Sequence, residues 1–377
     1  MMKQVIVKTH LIVGFISGLV LFIVAITGAM YSFKTEIEAL TQSYRKVDLE
    51  PKAMIPPSKA LEIGHKTLPD IEIHGVIYRK ADDALEVVYY QEEPLYYGAA
   101  YLNPYSGELL KTKDFYKSFF GFALRGHIAL WLPLHIGQPI VAIATLFFLL
   151  MFVSGLILWW PKKSGSTKSF AFTREAKPSV RRLEWHKVIG FYVVWLALIL
   201  VLTGMTWVFK GFDRAVYKAM GGKLETHFSM PASDTTNTIR MDSVAKPIDL
   251  LWANLKQQYP EMPFIEIHAV YDSVSTFLVE LNSDPSKYWK TDYLYFDQHT
   301  LEPVESNTIY GRLEQAGIPE KIKRMYYDMH TGAIWGLPGK IIMFLASLFI
   351  ASLPLTGFLL WWSRRREQKN FMKQLDL

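Results

Sequence analysis

Residues 10–28 read HLIVGFISGLVLFIVAITG, and residues 186–204 read HKVIGFYVVWLALILVLTG. In each, a histidine opens an apolar run that ends seventeen residues later in Thr-Gly, with Gly14 and Gly190 at the same offset of four. Lys34 and Lys210 share an offset of twenty-four. The match continues outside the apolar runs, since Ile71-Glu72-Ile73-His74 recurs as Ile265-Glu266-Ile267-His268. Each half closes on a second apolar run, ending in Trp159-Trp160 or Trp361-Trp362. Self-similarity of this kind reads as a tandem duplication with histidines at matched helix ends.

Four stretches, 11–33, 136–160, 188–209 and 337–362, are mostly apolar. Each reaches the roughly 20 residues that cross a hydrocarbon core of about 30 Å. Their only Lys, Arg, Asp or Glu is Lys340, near an end. Lys3 and Lys8 give the first stretch a signal-peptide look. Its apolar part is too long for an ordinary signal and lacks a clear A-x-A site, so it reads as an uncleaved anchor. Lys162, Lys163, Lys168, Arg174, Lys177, Arg181 and Arg182 follow the second span, and Arg364, Arg365 and Arg366 follow the fourth. The positive-inside rule puts both groups, and the N-terminus, in the cytoplasm. The net charge of +6 then belongs to membrane topology rather than to a nucleic-acid surface. The absence of cysteine removes disulfides, Fe–S clusters and covalent haem attachment, so any redox centre is held non-covalently.

The fold class expected is membrane α+β: four transmembrane helices in two repeats, with two small α+β domains outside. The segments are 1–34 (first helix), 35–126 (outer domain), 127–160 (outer His segment and second helix) and 161–183 (basic loop). They repeat as 184–209 (third helix), 210–329 (outer domain) and 330–362 (outer His segment and fourth helix), before a tail at 363–377. Each outer domain opens with a helical pattern behind a proline, from Pro57 and from Pro247. Strand-like runs follow near 71–79, 84–91 and 97–103, and near 265–272, 275–282 and 291–297. The turns Asn103-Pro104-Tyr105-Ser106-Gly107 and Asp297-Gln298-His299-Thr300 keep the separation of 194 residues seen between the two IEIH runs. Residues 222–246 are polar and weakly patterned, and read as a flexible loop.

His10 and His186 stand at the cytoplasmic ends of spans one and three, while His127 and His330 precede spans two and four on the outer side. Two histidines on each face is the arrangement that bis-imidazole haem requires. A lone interfacial histidine is ordinarily an amphipathic side chain, whereas four at duplicated positions point to ligands. His135 competes with His127, because a straight helix of 24 residues back from Trp159 reaches the bilayer edge at His135. Pro133 and Pro139, like Gly336, Pro338 and Gly339, are expected to interrupt the helices and let the preceding segments fold back. Gly14, Gly18 and Gly190 would admit a flat macrocycle or serve ordinary helix packing. Lys8, Lys187, Arg125, Arg324 and Lys340 are candidate partners for propionates or simple interfacial cations. The paired tryptophans read as an aromatic belt. His74 and His268, in matching strands, are explained by common descent in preference to a metal or substrate site.

These residues resemble the PepSY-associated transmembrane family of bacterial inner-membrane proteins over nearly the whole chain. His10 to Gly14 and Trp185-His186-Lys187-Val188-Ile189-Gly190 look like its H-x-x-x-G helix starts. His330-Thr331-Gly332-Ala333-Ile334-Trp335-Gly336-Leu337-Pro338-Gly339 looks like its fourth-span signature, and Tyr101 to Leu110 is similar to the closing strand and turn of PepSY domains. Members include siderophore reductases that hold two b-type haems and reduce ferric iron in the periplasm. The resemblance implies haem ligation by His10 with His186 on the cytoplasmic side and by His127 with His330 on the periplasmic side. The interval from His127 to Gly137 is one residue longer than that from His330 to Gly339, which leaves His135 as the alternative ligand.

The function expected is a di-haem inner-membrane reductase that passes electrons to periplasmic Fe(III), held in a siderophore or other chelate. No nucleotide fingerprint occurs, so neither FAD nor NAD is expected, and a quinol or separate cytoplasmic reductase supplies electrons. The partners are then the ferric chelate, the electron donor and the lipid bilayer, with no nucleic acid. Two rivals are a haem-free regulatory or peptide-binding membrane protein and a permease for iron chelates.

Overall fold

The computed structural model of the chain describes residues 2–160, 170–174, 177–236 and 246–375. Lys162, Lys163 and Lys168 of the basic loop, and 237–245 of the polar loop, lie outside the described residues. In chain order the elements are α1 (Met2–Tyr31), α2 (Lys34–Thr41), α3 (Pro57–Thr67), β1 (Ile73–Tyr78), β2 (Leu85–Gln91), β3 (Tyr96–Leu102), β4 (Leu109–Asp114), α4 (Phe119–Ala129) and α5 (Leu134–Trp159). They continue with α6 (Pro178–Glu184), a π-helical turn at Trp185–Ile189, α7 (Gly190–Val208), α8 (Lys210–Ala219), α9 (Pro247–Gln258), β5 (Ile265–His268), β6 (Phe277–Asn282), β7 (Thr291–Phe296), β8 (Pro303–Val304), α10 (Ile318–Arg324), α11 (Tyr326–Thr331) and α12 (Gly336–Leu375). Two units result, one of Met1–Phe33, Phe122–Asp213 and Met329–Leu377, the other of Lys34–Gly121 and Arg214–Asp328.

In the first unit, four helices are long and apolar enough to cross a membrane: Met2–Tyr31, Leu134–Trp159, Val180–Val208 and Ala333–Asn370. Their shared core joins Leu21 of α1, Phe148 and Phe152 of α5, Val193, Ala197 and Val201 of α7, and Ala346 and Ile350 of α12. The outward faces are also apolar, with Ile16 63% and Leu19 70% exposed. Water would not tolerate such faces at this extent, so this is a multi-pass membrane protein. The helices overrun their apolar cores. Because α1 starts at Met2, His10 lies two turns inside a helix rather than at its end. Lysine and arginine are good helix formers whose stems accompany an apolar surface, which lets α1 and α12 continue through Lys3, Lys8 and Arg364 to Arg366.

The expected fold-back before spans two and four is present, with a different division of labour. Helix α4 ends at Ala129, Leu130 and Trp131 turn the chain with φ of 54° and 60°, and α5 restarts behind Pro133. Pro139 does not interrupt α5, since it falls in the helix's second turn and removes a single backbone bond. In the matching half, Gly332 and Gly336 turn the chain with φ of 80° and 65°, and Pro338 lies in the first turn of α12. Gly137 abuts the Ala129 carbonyl and Gly339 abuts the Gly332 carbonyl, positions where any side chain would collide. The one-residue difference between halves is absorbed by these turns.

The second unit is built on one antiparallel sheet of order β4-β3-β2-β1-β5-β6-β7-β8. The two α+β modules read from the sequence are therefore joined through β1 and β5, where Gly75 pairs with His268, Ile77 with Glu266 and Tyr78 with Ile265. The fourth strand of each half, β4 or β8, was not signalled by alternating hydrophobicity. Helices α3 and α9 start on proline as expected, and their side chains fill one core with the sheet. That core takes Val76, Tyr78 and Val87 from one half and Ile265, Ile267 and Val279 from the other. Tyr78 stacks on Trp252 at 3.7 Å, and Asp249 accepts bonds from the Ser58 backbone N–H (2.9 Å) and hydroxyl (2.6 Å). The described part of the polar loop is held rather than free: Ala232 bridges to Ser275, and the Asp234 N–H donates to Asp297.

Gly75 tests the junction of the halves. A Cβ there would stand 2.6 Å from the Ile267 carbonyl oxygen and 3.0 Å from the His268 Cα. Gly75→Val is expected to destabilise the second unit by about 1–3 kcal/mol, as overpacking does. Unchanged thermal unfolding would contradict the β1–β5 pairing.

Candidate functional site

The membrane unit brings its histidines together in two pairs. The His10 and His186 ring centroids are 6.4 Å apart with planes at 89°, and those of His127 and His330 are 6.0 Å apart at 68°. His10 projects from α1, His186 from the π-helical turn before α7, His127 from α4 and His330 from α11. A π-helical turn of this kind recurs at functional sites, because the wider turn re-aims a side chain.

Each ring is oriented by the same device. His10 Nδ1 lies 2.8 Å from Ser154 Oγ, His186 Nδ1 2.9 Å from Thr356 Oγ1, His330 Nδ1 2.9 Å from Thr203 Oγ1 and His127 Nδ1 2.8 Å from the Val24 carbonyl. The carbonyl can only accept. The three hydroxyls already donate to their own helices, Ser154 to Leu150, Thr356 to Ser352 and Thr203 to Ile199. Their remaining capacity is as acceptors, so Nδ1 must carry the proton in all four imidazoles. A neutral imidazole protonated at Nδ1 presents a lone pair at Nε2, the form that ligates a metal and whose orientation a bond of this kind fixes.

Beside each acceptor sits a glycine facing the ring. A Cβ on Gly28 would stand 2.9 Å from His127 Cε1 and Nδ1, on Gly204 3.4 Å from His330 Cε1, on Gly155 3.5 Å from His10 Cε1 and on Gly357 3.4 Å from His186 Cε1. Ser154-Gly155, Thr203-Gly204 and Thr356-Gly357 each supply both the acceptor and the seat for one histidine, whereas His127 takes the Val24 carbonyl as acceptor and Gly28, one turn on, as seat. Gly14, Gly18 and Gly190, left open between a macrocycle seat and ordinary helix packing, face Met151, Pro354 and Leu353, as helix packing does. The repeat displayed two of the four seats at its landmarks. The other two lie deep in apolar runs, where only helix packing reveals what they face.

The pairs occupy opposite ends of the same helices. His10 and the Gly28 seat for His127 are both on α1, and His186 and the Gly204 seat for His330 are both on or next to α7. A separation of eighteen positions is about 27 Å of helix, close to a hydrocarbon thickness. Two imidazoles sharing one metal at about 2 Å each hold their ring centroids about 6 Å apart. The donor chemistry and spacing of both pairs therefore fit a group such as an iron porphyrin that two imidazoles would hold between them. An apolar cavity of about 260 Å³ adjoins His10, lined by Val5, Thr9, Val13, Met151 and Ser154 among others.

His135 is exposed at the start of α5, apart from these pairs. Lys8, Lys187 and Arg125 are exposed and make no ion pair among the described residues. Arg324 has a structural role in the second unit, donating to the carbonyls of Ile309, Thr291 and Gly311. Trp159 is buried and stacks on Phe191 at 4.0 Å, whereas Trp160 and Trp362 are exposed as belt residues would be. In the second unit, His74 and His268 meet with centroids 4.5 Å apart.

The chain belongs to the family described as the PepSY-associated TM region, which matches residues 7–364. Comparison with curated proteins gives no match.

The glycine seats differ in tightness, and thermal unfolding reads the difference. Gly28→Ala is expected to lower the melting temperature, because overpacking against His127 outweighs the roughly 1 kcal/mol that alanine gains over glycine in a helix. Gly211→Ala in α8, where a Cβ meets nothing within 4 Å, is expected to raise it. A rise at both positions would place the His127 ring elsewhere.

Proposed function

We propose that this member of the PepSY-associated TM family is a di-haem oxidoreductase of the bacterial inner membrane. It takes electrons from a quinol or a separate cytoplasmic reductase and delivers them to periplasmic Fe(III) in a siderophore or similar chelate. The observation that carries this reading is the pair of facing imidazoles at each end of α1 and α7, all four with Nδ1 engaged and Nε2 left as the donor atom.

When bound, an iron porphyrin supplies reversible one-electron transfer. His10 and His186 would hold one such group, His127 and His330 the other. Ser154, Thr356, Thr203 and the Val24 carbonyl fix ring orientation and raise ligand basicity. Lys8 and Lys187 near one pair, and Arg125 near the other, offer exposed cations to propionates. Apolar residues such as Phe148, Phe152 and Val201 keep water out of the path between the two ends.

The basic residues after the second and fourth helices support the reading in which His10 and His186 stand at the cytoplasmic end and both long insertions in the periplasm. The two halves, with their matched helices, strands and histidines, are read as one ancestral unit duplicated, each carrying a PepSY-like α+β module. Oxygen-rich chelators hold hard Fe(III) more tightly than Fe(II), so reduction loosens the iron for release.

Absorption spectra of purified protein, oxidised and dithionite-reduced, test the reading together with haem quantitation. Wild type is expected to hold two b-type haems. His10→Ala and His186→Ala should each lose the same one, and His127→Ala and His330→Ala the other. His135→Ala should retain both. Thr203→Val, which removes the acceptor for His330, is expected to weaken haem retention about 10–100-fold. Full haem content in all four ligand variants, or a colourless wild type, would overturn the proposal.

A further inference from the structure

The outer unit contains a second convergence of histidines that the membrane reading does not use. His74 of β1 and Glu266 and His268 of β5 bring ligand atoms within 4.8 Å of one another, and Glu280 of β6 stands beside them. We propose that His74, His268 and Glu266, supported by Glu280, bind a divalent first-row transition-metal cation. This site is independent of the haem assignment.

Several observations point to a ligand. His268 is 8% exposed, and its Nε2 makes no hydrogen bond, although carboxylate oxygens of Glu280 and Glu266 stand 3.3 and 3.8 Å away. Glu266 and Glu280 are directly paired across β5 and β6, and like charges opposed in this way repel. A divalent cation seated between them would offset both acidic side chains, which are 13% and 15% exposed.

His74 is brought to the cluster by a local irregularity. The β1–β2 register shifts between Ile73 and Gly75, a bulge that takes His74 out of strict alternation, and bulges commonly re-aim side chains at sites. Its Nδ1 is 3.2 Å from the Tyr271 hydroxyl, which itself donates to the His74 carbonyl, so the imidazole carries its proton at Nδ1 and leaves Nε2 for a metal. Tyr271 is 55% exposed, which leaves a route from solvent.

Two imidazoles with carboxylate suit Zn(II), Co(II) or Fe(II) and disfavour Mg(II) and Ca(II), which take oxygen donors. Ligand atoms around a tetrahedral ion stand about 3.4 Å apart, so modest side-chain rotation closes the cluster.

The test uses the purified, tag-free full-length chain as isolated, stripped with chelator and titrated with Zn(II) by calorimetry and Co(II) by absorption. One ion per chain is expected at this site. His74→Ala and Glu266→Gln should each weaken binding about tenfold or more while leaving the haem spectrum unchanged. His65→Ala, an exposed histidine on α3, should change nothing. His74 is the less buried imidazole and Glu266→Gln preserves shape, so the test does not depend on a foldable His268 variant. Absence of Zn(II) and Co(II) binding, or binding that both variants leave intact, would overturn the site and leave the haem assignment standing.

Discussion

The membrane unit depends on one recurring hydrogen bond, from an imidazole Nδ1–H to an acceptor on a neighbouring transmembrane helix. In hydrocarbon an unsatisfied polar ring is costly, so each histidine must find a partner or be excluded from the bilayer. Ser154, Thr203 and Thr356 are suited to this because a helical hydroxyl spends its proton on a carbonyl of the preceding turn. What remains to the imidazole is the oxygen lone pair, and that fixes the tautomer without any charge. The adjacent glycine lets the ring lie against the helix backbone. Side chain, acceptor and seat come from two helices each, so ring orientation and helix packing are one constraint.

The histidines at matched positions of the sequence meet in pairs. Within the membrane unit this joins His10 to His186 and His127 to His330. In the second unit the same pairing runs through a sheet, because β1 and β5 pair antiparallel near the two IEIH runs and so deliver His74 to His268. A histidine of little meaning in its own segment becomes half of a pair when the matching one faces it.

Much of this was legible in the residues themselves. Four spans, the helices behind Pro57 and Pro247, six of the eight strands and the matched histidines all follow from periodicity, turn chemistry and the repeat. What escaped depends on contacts between segments distant in sequence. The strands β4 and β8 carry few buried side chains, so their alternation is weak. That the two α+β modules share one sheet is a matter of which edges meet, and an edge has no sequence signature apart from Gly75, where the close approach of β5 leaves no room for a side chain. Gly14, Gly18 and Gly190 lie near histidines in sequence, which left a cofactor slot and ordinary helix packing equally open. The glycines that face the rings belong to other helices. For His74 and His268 the sequence favoured common descent over a metal or substrate site, and only the packing shows Glu266, Glu280 and the unbonded Nε2 around them.

The claim on which the functional account rests is that facing imidazoles hold iron at both ends of the bundle. Low-temperature electron paramagnetic resonance of the oxidised, full-length protein tests it most directly, because the signal of low-spin ferric haem depends on its axial ligands and on the angle between their planes. The account predicts two bis-imidazole low-spin signals, both of the strongly anisotropic type that steeply crossed ligand planes produce, given angles of 89° and 68°. A protein with no haem signal, or with high-spin iron alone, would contradict it.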